Sequence, residues 1–178
     1  SVPSAAAIIL PQDHISPERA RVLNDLTKIV IEDEFLPETI EDSCHWITKE
    51  NETRLRSRLL ECGMAEVVLA SLVPRSPEGK SLVAGLFAVT HTSTSDRLII
   101  DRRALNSTEK RLCWEGLPHG ALFAQVRLGP KDHIRASGDD LSNYFYLLEN
   151  PENWRHRTCV GRPFFGKDLP DSGLPPDE

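Results

Sequence analysis

Aromatic residues are scarce in this chain: three Trp, two Tyr and six Phe make up 6% of its 178 residues. So little stacking surface argues against a protein that holds bases on a row of aromatic platforms. Cysteine is equally sparse. Cys44, Cys62, Cys113 and Cys159 lie far apart with no paired spacing, which excludes a disulfide framework and suits a reducing, intracellular compartment, an organelle included. A zinc site would have to draw on Cys113, His119, His156 and Cys159, where only His156-x-x-Cys159 has a ligand-like gap. Zinc fingers use two such tight pairs, so buried thiols and surface histidines are expected, and no metal is assigned. Long apolar runs are missing as well. No stretch approaches the length that spans a bilayer, and the opening SVPSAAAIILPQ lacks the basic flank of a signal peptide. A soluble protein without a transmembrane segment is expected. A net charge of −6 excludes a protein that coats nucleic acid with its whole surface.

What is present suffices for one domain of ordinary size, with 39% hydrophobic residues. Charge is unevenly spread: residues 97–163 hold eleven Lys/Arg against eight Asp/Glu, so the acidic excess lies elsewhere. Ser16-Pro17-Glu18 reads as a helix start, with Ser as cap, Pro in the first turn and an acid behind it. Val22, Leu23, Leu26, Ile29 and Val30 then repeat at helical spacing. Residues 31–42 carry six acids and no base, as a solvated connector does. A second helix is predicted over about 53–62, with Leu55, Leu59 and Leu60 inward and Gly63 at its end. The turn residues Ser76-Pro77-Glu78-Gly79 precede a β-rich run at 82–89. A polar string at 90–96 and a second apolar run at 98–100 complete a predicted hairpin, ending at Asp101, with a long, flexible tip. Further strands are expected at 122–128 and 133–136 around the turn 129–132, and a helix or irregular turn at 141–148. Residues 168–178 are acidic and rich in Pro, the composition of a tail.

Two segments resemble the reverse transcriptases of retroelements. RLIIDRRALN, from Arg97 to Asn106, is similar to a fingers strand of that family, and LFAVT, from Leu86, to its hairpin partner. WEGLPHG, from Trp114, stands where the family carries a Pro-containing link from fingers to palm. DDLSNYFYLL, from Asp139, resembles the first palm motif. Order and spacing agree over roughly residues 53–165. The resemblance implies an α+β fold: N-terminal helices, then a fingers-like hairpin and a small, mostly antiparallel sheet of a truncated fingers and palm. It divides the chain into a helical extension at 1–52, the fingers and partial palm at 53–167, and the tail at 168–178.

The resemblance also gives residues roles. Asp140 would be the first of the carboxylates that hold paired magnesium ions, Arg97 would reach a triphosphate from the fingers, and Phe145 would lie under the sugar. Arg102, Arg103, Arg127 and Arg135 are candidate nucleic-acid contacts, with Arg155 and Arg157 further along. The sequence departs from the family in three places. Thr90 and His91 stand where a hairpin lysine is usual, Tyr144 replaces a small residue, and no Tyr-x-Asp-Asp follows Asp140. One carboxylate pair does not hold two metals. The expectation is a non-catalytic subunit that binds other proteins of an assembly and needs no cofactor. The alternatives are a fragment of an active, magnesium-dependent polymerase and a nucleic-acid-binding module for RNA or DNA.

Overall fold

Ser16 caps the first helix as its side chain implies. Its hydroxyl oxygen accepts from the Arg19 amide at 3.4 Å, and α1 spans Pro17–Asn24 with Pro17 in the first turn. The structure is a computed structural model, and it describes residues 2–111, 120–135, 137–139, 144–169 and 175. The chain forms two units, residues 1–110 with 143–178, and residues 111–142.

The apolar repeat continues to Val30, yet α1 ends at Asn24. Asp25 explains the difference: its carboxylate accepts from the Thr27 amide at 3.1 Å and the Thr27 hydroxyl at 2.6 Å. This local bonding competes with helix propagation and starts a separate turn, Leu26–Lys28. Ile29 is nevertheless buried, because the chain there pairs with a distant segment. Lys110 donates its amide to the Ile29 carbonyl and Ile31 donates to that of Thr108.

The second helix, α2, spans Lys49–Glu61, starting earlier than the pattern suggested because Thr48 serves as its cap and accepts from the Asn51 amide at 3.3 Å. It closes at Gly63, as expected. Leu59 is buried and Leu55 and Leu60 are half-buried. Glu52 is buried beside them, which the apolar pattern did not indicate.

The predicted hairpin is present. Strand β1 spans Gly85–Thr92, and β2 spans Ser95–Asp101, antiparallel, from Gly85 opposite Asp101 to Thr92 opposite Ser95. The long tip is corrected: the polar string lies within the strands and only Ser93 and Thr94 turn. Threonine suits an extended backbone, and the Thr92 and Ser95 hydroxyls lie 2.6 Å apart across the turn.

The small sheet reduces to this pair among the described residues. The strands expected at 122–128 and 133–136 are replaced by a 3₁₀ segment, Gly120–Gln125, and irregular chain beyond it. Residue 136 is outside the described residues. An apolar run becomes a strand only where a neighbouring edge accepts it, and the described residues offer none here. The turn between them does form, with the Gly129 amide donating to Asp132 Oδ2 at 2.8 Å. The four-residue helices α3, Arg103–Asn106, and α4, Tyr144–Leu147, complete the elements.

The core is small. Leu82, Ala84, Ala104 and Leu105 cluster, with Ile40 and Val160 packed on them. Ala84 pairs with Val160 in a parallel bridge. The core therefore ties the start of the hairpin to α3 and to the chain after residue 159.

Candidate functional site

Side chains alternate along a strand, so the register gives the hairpin two faces. Leu86, Ala88, Leu98 and Ile100 share one, and Phe87, Val89, Arg97 and Ile99 share the other. Residues 44–46 run along the strand and add to the second face. Cys44 donates its amide to Asp101 Oδ2 at 2.6 Å, and Trp46 donates to the Leu86 carbonyl at 2.9 Å. Gly85 permits this approach, because a Cβ there would sit 1.9 Å from the Cys44 carbonyl oxygen. The Trp46 ring then lies 5.5 Å from that of Phe87, tilted by 47°. Trp46 is 76% exposed and Val89 42%, so this aromatic and aliphatic strip faces solvent.

A shallow cavity of about 550 Å³ opens beside the strip, its lining including Cys44, Phe87, Ile99, Asp101, Arg102 and Arg103. Arg103 grips both oxygens of Asp101, at 2.8 to 3.1 Å, and reaches Cys44 Sγ at 2.8 Å. The Arg103 guanidinium holds the Asp101 carboxyl well below the usual range; burial opposes this, and the amides of Cys44 and Arg103 assist. This arrangement fixes the root of β2. It offers no general base, because the carboxylate's oxygens are already bonded.

Glu52 organises the opposite side of the same segment. Its Oε1 accepts from the Arg162 amide at 2.7 Å, and its Oε2 accepts from the Arg162 guanidinium and from His45 Nε2, the latter at 3.2 Å. His45 Nδ1 accepts from the Leu86 amide at 3.1 Å, which leaves Nε2 to donate to Glu52. Burial pushes the Glu52 carboxyl up, but the Arg162 amide, His45 and the Arg162 guanidinium hold it below the usual range. Glu52 was legible in one respect: with Leu55 and Leu59 it falls at i, i+3 and i+7 of α2, on the inward face.

The described residues given roles by the resemblance fall on different elements. Arg97 is exposed on β2 opposite Val89, its Nη2 lying 3.3 Å from His91 Nδ1. Phe145, on α4, is 81% exposed and meets Tyr144 edge-on at 5.6 Å. Asp140 is outside the described residues, as are Cys113, Trp114 and His119. Arg102 pairs with Glu109, Arg103 with Asp101, and Arg155 with Glu66 and Glu149. Arg127 and Arg135 are exposed in the unit 111–142. Arg157, the last of the candidate nucleic-acid contacts, is buried on Thr108.

Cys159 bonds the His156 carbonyl at 3.4 Å, and burial pushes its thiol up, the setting of a structural cysteine. Among the described residues no three His, Cys, Asp or Glu side chains gather as metal ligands do. The magnesium that the resemblance implies therefore finds no fitting donor set among them. Nor is any described helix long and apolar enough to cross a membrane. Comparison of the chain with family models, with curated proteins and with solved structures finds no match.

Proposed function

We propose that this chain is a retroelement-derived, reverse-transcriptase-like domain that acts without catalysis, as a protein-binding subunit of a larger assembly. The supporting observation is the strip formed by exposed Trp46 and Val89 with half-buried Phe87 and Ile99. A contiguous apolar patch on a protein surface marks a contact site, and Trp flanked by Arg is the composition of an interface centre. Arg97 on the same face and Arg103 at the edge of the cavity supply a polar rim around it. Its occupant is another protein chain.

A photo-crosslinking residue placed at Trp46 tests the reading in the native assembly. One partner should be trapped there and not from a control position at Glu18, and Val89→Asp should abolish trapping without lowering the melting temperature. Equal trapping at both positions would sink it.

A second reading, a fragment of an RNA-directed DNA polymerase, draws support from the hairpin with Arg97 exposed on it. Template-dependent primer extension with magnesium, abolished by Asp140→Ala, would favour that reading over the first.

A further inference from the structure

We propose that Arg102 and Arg157 together hold a phosphate-type oxyanion, with Arg102 also lining the cavity beside the docking strip. The two guanidiniums are anchored on consecutive residues after α3. Arg157 donates from Nη2 to the Thr108 hydroxyl at 2.7 Å, and Arg102 donates from Nη2 to Glu109 Oε1 at 2.9 Å. Among the described residues these are the only hydrogen bonds either side chain makes. A guanidinium presents five N–H donors in a planar fork, so most of the pair's donors are unused.

Arg157 is only 7% exposed, yet no described carboxylate forms an ion pair with it. The Nε atoms of both arginines are buried without a partner. A buried charge is ordinarily paired, because desolvating it alone is strongly unfavourable. Here two guanidiniums face one carboxylate, Glu109, which is already engaged by Arg102. Burial and the neighbouring Arg102 both disfavour the charged form of Arg157, and Glu109 only partly offsets them. An oxyanion bound by the two guanidiniums would remove that imbalance. Planar paired donors match the several oxygens of a phosphate, which a monatomic ion does not offer.

The test is a titration of the full chain with inorganic phosphate at constant ionic strength, followed by calorimetry and by phosphorus NMR. Saturable binding at one site is expected. Arg157→Lys keeps the charge and can still reach Thr108, so it should fold, yet it should weaken binding about tenfold or more because the fork is lost. Arg102→Gln, at a half-buried position, should do the same, while Arg58→Gln on the exposed side of α2 should not. A short single-stranded RNA that displaces phosphate would identify a polynucleotide backbone as the source; failure to displace it would identify free phosphate, and both outcomes support the site. Binding that is unchanged in Arg157→Lys and Arg102→Gln overturns it, as does no saturable binding at about 10 mM phosphate.

Discussion

Two residues in this chain do work that their types conceal. Gly85 lets the carbonyl of Cys44 come within 1.9 Å of where a Cβ would stand. Because that neighbour is backbone, it cannot swing aside as a side chain would. Gly85→Ala should therefore push residues 44–46 off the hairpin and cost about 3 kcal/mol or more. Chemical denaturation and Trp46 fluorescence report both effects, and a variant as stable as wild type would refute the packing. Glu52 is the second. Its folded value lies below its ordinary value of 4.5, so its contribution to stability is complete above that pH and disappears as pH falls through the lowered value. Glu52→Gln should cost about 1.5 to 3 kcal/mol at neutral pH, since it weakens the charge-assisted bonds from the Arg162 amide and guanidinium to a buried group. The same variant should flatten the loss of stability below pH 4.5. Asp101, also held low, will retain its own acid limb. An unchanged pH profile in Glu52→Gln would show that the network contributes nothing.

Among the elements, the hairpin is the most informative. Its two-residue turn, Ser93–Thr94, contains no residue with positive φ. Tight hairpin turns usually need such residues, because their twist then matches that of the strands. The irregular register between Thr90 and Thr92 absorbs the mismatch, in the manner of a β-bulge. Replacing Ser93-Thr94 with Asn-Gly should remove the conflict and stabilise the hairpin by about 0.5 to 1 kcal/mol. Thermal unfolding measures this directly. A fall in melting temperature would mean that the irregularity is the preferred geometry and is fixed by contacts beyond the turn.

At the scale of the whole molecule the two units differ in how firmly they should be held. In the larger, long-range backbone bonds join segments remote in sequence: Ala84 donates to the Cys159 carbonyl, Gly161 to that of Ala84, and Trp46 to that of Leu86. In the unit 111–142, every side chain described between Val126 and Arg135 is exposed. Amides opened only by global unfolding exchange slowest, and solvated chain exchanges fast. Hydrogen exchange should therefore show strong protection at Ala84, Leu86 and Gly161 and almost none at 126–135. Comparable protection in both segments would contradict the arrangement.

What the sequence determined by itself was local. Ser16 and Pro17 began a helix, Gly63 ended one, the β-branched runs gave a hairpin, and Asp132 closed the turn after Gly129. Each outcome depends on residues a few positions apart, whose propensities and short-range hydrogen bonds are present in the chain itself. The bounds of α1 and α2 were also set locally, by Asp25 and Thr48, but the failures of burial and strand pairing needed distant partners. Whether 122–128 became a strand depended on a neighbouring edge, and whether Arg157 faced solvent or Thr108 depended on a bridge between residues far apart in sequence. The same holds for Trp46, which reads as an ordinary apolar residue until the missing side chain of Gly85 lets its segment lie along β1. The exposed strip and the paired arginines are both products of such contacts. Burial and charge pairing are settled by which segments meet, and that is decided only when the chain is folded.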